Sequence, residues 1–265
     1  MSDQLTPEQI KEFWIQQART HGLSPSASWS DVGVLDLEVQ EIVKWLTDGD
    51  RVLDVGCGNG YSTVQFASQK RVSIRGIDYV PESIEQANAR LAAVTTPLRG
   101  STEFTVGDVM ALDEPANAYD KVIAIRVLIN LGGWNAQRTA LHACARVTRP
   151  GGFLLLSEAT LQGWTKLNAF RAEWNLPAIP MPAFNTYLDE TQVIAEMVPT
   201  FELTALVNFA STYFVGTRVL KPLLAATVNP ELVPNPDLHW NRWWATLPAW
   251  GDYGTQKLFV FRKIA

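Results

Sequence analysis

Short apolar runs alternate along the chain with longer segments in which apolar residues recur at helical spacing. Five apolar runs predict buried strands, at residues 51–55, 72–77, 103–106, 119–125 and 153–156. Amphipathic segments predict helices between them, at residues 61–67, 81–93 and 134–147. Strands that alternate with helices in this way predict an α/β protein with a doubly wound, mostly parallel sheet.

Two further strands and two further helices extend this pattern. Residues 201–209 and 257–261 predict a sixth and a seventh strand, paired antiparallel at the sheet edge, so that seven strands are expected in all. Helices are predicted over residues 6–19 and 34–46. We therefore expect a helical cap at residues 1–49 and one domain at 50–265, interrupted by insertions at about 158–189 and 211–254.

The second insertion is rich in aromatic residues, which lie close together in the sequence: His239, Trp240, Trp243, Trp244, Trp250 and Tyr253. Trp and Tyr offer a flat apolar surface with a polar group, which suits contact with a small molecule. Long insertions near an active edge often cover a substrate, so we expect a helical substrate lid here. The alternative is that these rings pack the insertion onto the domain or form a dimer contact.

Composition and charge narrow the choice of partner. The 265 residues carry a net charge of -5, with no basic cluster, which favours a small molecule over a nucleic acid. No apolar run reaches the roughly 20 residues that a membrane helix needs, so no membrane partner is expected. The N-terminus lacks a secretory pattern and the two cysteines form no metal pattern, which favours the cytoplasm. The sequence leaves open whether the protein forms a homodimer.

Polar residues collect where the predicted strands end. Three glycines, Gly56, Gly58 and Gly60, join the first strand to the next helix, and glycine lets the backbone approach a ligand closely. Four charged residues fall near the carboxyl ends of strands, where α/β sheets bind ligands: Asp54, Asp78, Asp108 and Arg126. The alternatives are a purely structural glycine turn, a helix cap for Asp78 and a turn residue for Asp108.

These motifs together resemble the class I S-adenosylmethionine (SAM)-dependent methyltransferases. The matching segments are Val52-Leu-Asp-Val-Gly-Cys-Gly-Asn-Gly60, Gly76-Ile-Asp-Tyr79, Val106-Gly-Asp-Val109 and Arg149-Pro-Gly-Gly-Phe153. The resemblance covers residues 51–157 and implies a Rossmann-like methyltransferase fold with SAM as cofactor. It implies that the glycine loop and Asp54 hold the methionine and ribose portions, that Asp78 holds the ribose hydroxyls, and that Asp108 and Val109 face the adenine. We add Tyr79 and Arg126 to the expected cofactor site.

A weaker similarity links segments 167–174, 184–190 and 211–214 to methyltransferases of bacterial polysaccharide and natural-product gene clusters. It implies methyl transfer to an oxygen or nitrogen of a small molecule such as a sugar or a natural-product intermediate. Methyl transfer mainly needs alignment, although an alcohol substrate benefits from a general base. The candidates are Glu158, which follows the fifth predicted strand, together with His239 and Tyr187. Glu158 as a solvated loop carboxylate is the alternative, and no metal is expected.

Two other functions stay open. A nicotinamide-dependent oxidoreductase would favour Gly-x-Gly-x-x-Gly, but here the third glycine comes one residue early and Tyr61 follows it. A SAM-binding regulatory or partner protein without catalytic activity would keep the same cofactor residues, because binding does not establish catalysis.

Arg126 and Asn130 follow the fourth strand, where the resemblance implies substrate contacts.

Overall fold

A seven-stranded sheet forms the centre of the protein, which a computed structural model describes over residues 5–264. The strands are β1 Arg51–Val55, β2 Ser73–Asp78, β3 Ser101–Val106, β4 Tyr119–Ile125, β5 Thr148–Ala159, β6 Phe201–Val207 and β7 Gln256–Lys263. Their order is β3-β2-β1-β4-β5-β7-β6, with β1 to β5 parallel and β7 antiparallel to both of its neighbours. The predicted mostly parallel sheet with an antiparallel edge pair is confirmed.

Ten α-helices surround the sheet within the described residues. They are α1 Pro7–His21, α2 Val32–Val43, α3 Tyr61–Gln69, α4 Pro81–Ala92, α5 Trp134–Val147, α6 Leu161–Glu173, α7 Glu190–Met197, α8 Ser211–Phe214, α9 Lys221–Val228 and α10 His239–Trp244. A π-helical stretch, Val215–Leu220, joins α8 to α9. No helix within residues 5–264 combines the length and apolar character needed to cross a membrane.

The fifth strand is much longer than its apolar core of four residues suggests. It begins at Thr148 and ends at Ala159, because it pairs with β4 on one side and with β7 on the other. The β7 pairing continues to the end of the strand and places Glu158 opposite Lys257. Glu158 is therefore a strand residue, so the prediction that it follows the fifth strand was wrong. The alternative of a solvated loop carboxylate was wrong as well, because Glu158 is fully buried.

Two apolar layers cover the faces of the sheet, and β1 contributes to both. Leu53 and Val55 join the layer that contains α5 and α7, whereas Val52 joins the layer of α2 and α3. This division follows from the alternation of side chains along a strand. Tyr213 and Phe214 of α8 belong to the second layer, so the start of the 211–254 segment is part of the hydrophobic core.

The first helix joins two parts of the molecule at the carboxyl edge of the sheet. Thr6 caps α1 through a complete capping box. Farther along the helix, Arg19 forms an ion pair with Glu82 of α4 at 2.7 Å. On its other side, Phe13 stacks on Phe184 with ring centroids 4.4 Å apart. The N-terminal segment therefore connects α4 with the 158–189 insertion.

Candidate active site

The loop between β1 and α3 requires its glycines. Gly56, Gly58 and Gly60 have φ values of +68°, +53° and +72°, a region that side-chain-bearing residues rarely adopt. At Gly56 a Cβ would lie 2.3 Å from the Val127 side chain. At Gly58 a Cβ would meet no described atom within 4 Å, so the backbone there faces open space. The loop thus presents an uncovered surface at the end of β1.

The carboxylate of Asp78 supports this loop from the end of β2. Its two oxygens accept hydrogen bonds from the amides of Gly58 and Val80, each at 2.9 Å. Asp78 is 8% exposed, and burial raises its pKa to about 6. The N-cap of α4 is Val80, without a side-chain cap bond, so Asp78 does not cap that helix in the usual way. It orients the glycine loop instead.

A second buried acid, Asp54, lies on β1 just before the loop. The hydroxyl of Thr63 on α3 donates a hydrogen bond to it at 2.5 Å. Burial is the main cause that raises the pKa of Asp54 to about 7, and the nearby charges of Asp78 and Glu38 raise it further. Two carboxyls in one desolvated region favour a ligand that brings hydrogen-bond donors or positive charge.

A cleft opens above these residues. It is lined by Ser28, Leu35, Asp54, Gly56, Cys57, Gly58, Asn59, Tyr61, Ser62, Ile125 and Arg126. Four predicted cofactor residues thus line one cleft: Asp54, Gly56, Gly58 and Arg126. The sequence did not predict that Ser28 and Leu35 of the N-terminal segment line it too. Asn59 shows the connection, because its Nδ2 donates to the carbonyls of Gly22 and Ser24 at 2.8 and 2.9 Å. In the sequence, the only sign that Asn59 belongs to the site is its position inside the glycine motif.

The remaining predicted cofactor residues follow the neighbouring strands β2 and β3. Tyr79 is half-buried, with the ammonium of Lys11 on α1 at 5.6 Å from its ring centroid. Asp108 is exposed and accepts a hydrogen bond from the amide of Met110, whereas Val109 is buried. The hydrogen bond of Asp108 matches the turn that we considered as an alternative.

The side chain of Arg126 is held in a buried network behind the cleft. It donates to the carboxylate of Glu38 on α2 and to the hydroxyl of Ser28 at 2.8 Å. Glu38 is fully buried and also accepts from Ser157 and from Gln256. Ser28 and Glu38 therefore fix the guanidinium directly, and Ser157 and Gln256 hold Glu38 in turn. Arg126 itself adopts a positive φ of 54°.

Glu158 organises the loop that follows β4. Its Oε1 accepts from the amides of Val127 and Leu128, each at 2.9 Å, and its Oε2 accepts from Ile129 at 3.3 Å. The side chain has no exposed surface, and this burial raises its pKa to about 8. The position therefore suits a residue that holds the loop. Its role as a general base stays a prediction.

The other two catalytic candidates lie in different environments. Tyr187 is half-buried, with its ring 6.4 Å from that of Trp164, and burial raises its pKa to about 12. The neighbouring amide of Thr186 donates to the carbonyl of Ile129 at 2.7 Å, which brings Tyr187 to the loop that Glu158 holds. His239 is exposed at the start of α10. Within residues 5–264, no group of His, Cys, Asp and Glu is arranged to hold a metal ion.

Comparisons with known proteins cover the segment that carries the glycine loop. Residues 52–152 match the family described as "Methyltransferase domain". Over 117 residues the chain is 36% identical to the 27-O-demethylrifamycin SV methyltransferase of Amycolatopsis mediterranei, an alignment that covers 44% of this chain and 41% of that protein. The chain thus matches less than half the length of this relative.

Two solved structures share the fold over almost the whole chain. The [4+2]-cyclase SpnF is 18% identical, with a TM-score of 0.63 and coverage of 98% of each chain. The N-methyltransferase NodS of Bradyrhizobium japonicum is 15% identical, with a TM-score of 0.56 and coverage of 95% of this chain and 99% of its own. The glycine loop and the acids at the ends of β1 and β2 lie within the matched residues, so residues 52–152 of this chain form a methyltransferase domain.

Proposed function

We propose that this protein binds SAM in the cleft at the carboxyl edge of the sheet and transfers its methyl group to an oxygen of a small molecule. The observation that carries the proposal is the open backbone at Gly58 beside the buried carboxyls of Asp54 and Asp78. A Cβ at Gly58 would fill this space. The charge fits as well, because SAM carries a sulfonium cation and hydroxyl donors.

Each part of the site has a separate task in this proposal. Asp54 and the glycine loop would hold the methionine and ribose portions, and Asp78 would accept the ribose hydroxyls. Asp108 and Val109 would face the adenine. SAM supplies a methyl group that is already activated by the positive sulfur, so the protein contributes mainly alignment and exclusion of water.

Transfer to oxygen is supported by the name of the rifamycin relative, an O-methyltransferase of a natural product. An alcohol or phenol must lose a proton, and Tyr187 is the predicted base candidate that lies beside the loop after β4 without being fully buried. Its high pKa keeps the phenol protonated near neutral pH, so Tyr187 would orient the substrate oxygen by donating a hydrogen bond, and the substrate proton would pass to solvent or to another base. His239 and Glu158 stay as alternative bases.

The proposal also includes the cellular location of the protein and the class of molecule that it binds. Cys57 and Cys144 are both unpaired, which supports a reducing compartment and hence the cytoplasm. We propose a small-molecule substrate rather than a nucleic acid, supported by the net charge of -5. The homodimer stays a prediction, which sedimentation of the purified protein tests.

Cofactor binding and catalysis need separate measurements, because the fold is shared with a cyclase. Thermal unfolding with SAM and with NAD tests the cofactor, since a ligand that binds the native state raises the melting temperature. We expect a rise with SAM and none with NAD. Incubation with methyl-labelled SAM and a library of phenols, sugars and polyketides tests transfer. Binding of SAM without label transfer to any of them would favour the non-catalytic alternative.

A further inference from the structure

Two buried amide oxygens lack a partner where the loop after β4 meets the 158–189 insertion. The Oδ1 atoms of Asn130 and Asn185 accept no hydrogen bond from any described residue. Asn185 is 8% exposed. Buried polar atoms are nearly always paired in native proteins, so two orphaned acceptors at one junction can each take a hydrogen bond from a ligand or a water.

The two residues flank a single backbone hydrogen bond. The amide of Thr186 donates to the carbonyl of Ile129 at 2.7 Å. Asn185 directly precedes Thr186, and Asn130 directly follows Ile129. The Nδ2 of Asn130 donates to the carbonyl of Arg126 at 2.6 Å, which commits that end of the amide and leaves Oδ1 as the free acceptor. The backbone of Asn185 is held as well, because its amide donates to the carbonyl of Pro182 at 2.9 Å.

The backbone that carries both residues is firmly held. Glu158 accepts the amides of Val127, Leu128 and Ile129 on the strand side of the loop. On the other side, the Nε2 of Gln137 on α5 donates to the carbonyl of Thr186 at 2.7 Å. A rigid backbone keeps the acceptors in place before a ligand arrives, which favours selective recognition.

We propose that Asn130 and Asn185 form an acceptor pair that recognises two neighbouring hydroxyl groups of the substrate, as in a catechol or a vicinal diol. The proposal rests on the proposed function, since it specifies the substrate class for the same site. A buried site built to bind a hydroxyl discriminates strongly against an analogue without it, because the acceptor is then left unpaired. Asn130 and Asn185 would therefore set specificity.

A matched series of three probes tests this: catechol, its monomethyl ether guaiacol and its dimethyl ether veratrole. They carry two, one and no hydroxyl donors on the same ring. The dissociation constants are measured by NMR titration with the wild-type protein, both alone and saturated with S-adenosylhomocysteine, which allows no turnover. We expect affinity to fall about 10-fold for each donor removed, as befits a lost hydrogen bond to a buried group.

The variants Asn130→Leu and Asn185→Leu keep the size of the side chain and remove one acceptor each. Each should weaken catechol by about 10-fold and leave veratrole within about 2-fold of the wild type, since one hydrogen bond is lost. Asn185→Asp retains an acceptor and should keep the preference for catechol. Asn88→Leu on α4, whose Nδ2 bonds only the Ile84 carbonyl of its own helix, is the control and should behave as the wild type.

Equal dissociation constants for the three probes with the wild-type protein, or failure to bind any of them, overturn the inference. So does a series that both leucine variants leave unchanged. The proposed function is judged separately by S-adenosylhomocysteine: if it binds and the series is flat, only the acceptor pair fails. If it does not bind, the cofactor assignment fails, and the titrations with the protein alone still decide the acceptor pair.

Discussion

The substitution Glu158→Gln should change how the stability of this protein depends on pH. The folded-state pKa of Glu158 is raised by burial to about 8, from an ordinary value of 4.5. For a carboxyl with a raised pKa, the unfolded chain ionises first. The contribution to stability is therefore complete below about pH 4.5 and is lost as pH rises through 8.

The expected size follows from this shift. Each unit of pKa difference corresponds to about 1.4 kcal/mol, so ionisation of Glu158 should cost roughly 3–5 kcal/mol of unfolding free energy between pH 5 and pH 9. Gln is neutral throughout and lacks this cost. Its single oxygen can replace Oε1 at the Val127 and Leu128 amides, but its NH₂ cannot accept from Ile129, which should cost about 1–3 kcal/mol at every pH.

Urea unfolding of both proteins at pH 5, 7 and 9 measures the difference. We expect the variant to be less stable at pH 5 and to gain on the wild type as pH rises, with the order reversed by pH 9. Asp54 and Asp78 also have raised pKa values but titrate in both proteins, so they cancel in the comparison. A stability difference that stays constant from pH 5 to pH 9 would refute the reasoning, because Glu158 would then not ionise in this range.

Four further variants probe other parts of the protein. Asp78→Ala should weaken SAM by roughly 10- to 100-fold in calorimetric titration, since charge-assisted hydrogen bonds are lost, and unchanged affinity would leave Asp78 with only its loop-supporting role. Trp244→Ala should lower the free energy of unfolding in urea by roughly 3–5 kcal/mol, because this ring packs against the core and Gly216. The exposed Trp243 is the contrast: Trp243→Ala should leave stability within about 0.5 kcal/mol of the wild type and alter substrate kinetics only. Equal stability losses would contradict that division. Tyr213→Phe should cost about 1–3 kcal/mol of unfolding free energy, because the buried hydroxyl donates to Asp31 at 2.6 Å, and a neutral result would show that water replaces it.

The sheet and the glycine loop were predictable because their signals are local. The apolar run before Gly56 and the acid at the end of β2 lie within a few residues of the features they identify. The extent of β5 was not predictable from its own segment. Its last two residues, Glu158 and Ala159, lie beyond the apolar run and are strand because β7, about 100 residues later, pairs with them up to Gln256.

Side-chain networks between distant segments left no pattern in the sequence. Glu38 lies 88 residues before Arg126 and 119 before Ser157, yet the three meet in one buried cluster. Nothing in the helical pattern of α2 separates Glu38 from a solvated glutamate. Likewise, Asn185 lies in an irregular segment, and its burial depends on the backbone contact between Thr186 and Ile129.

The 211–254 segment shows why aromatic composition alone cannot identify a lid. Its first part is anchored: Tyr213 and Arg218 both donate to Asp31, and Lys221 donates to Asn241, which in turn donates to the Tyr213 hydroxyl. A segment held by this many buried polar contacts must lose several of them to open. Asn241 lies on α10, so the same contacts hold that helix. Movement is therefore left to exposed side chains such as Trp243 and Trp250, which are 57% and 76% exposed. These rings can change during evolution at little cost to stability, so we expect substrate selection to vary there while the anchored part stays fixed.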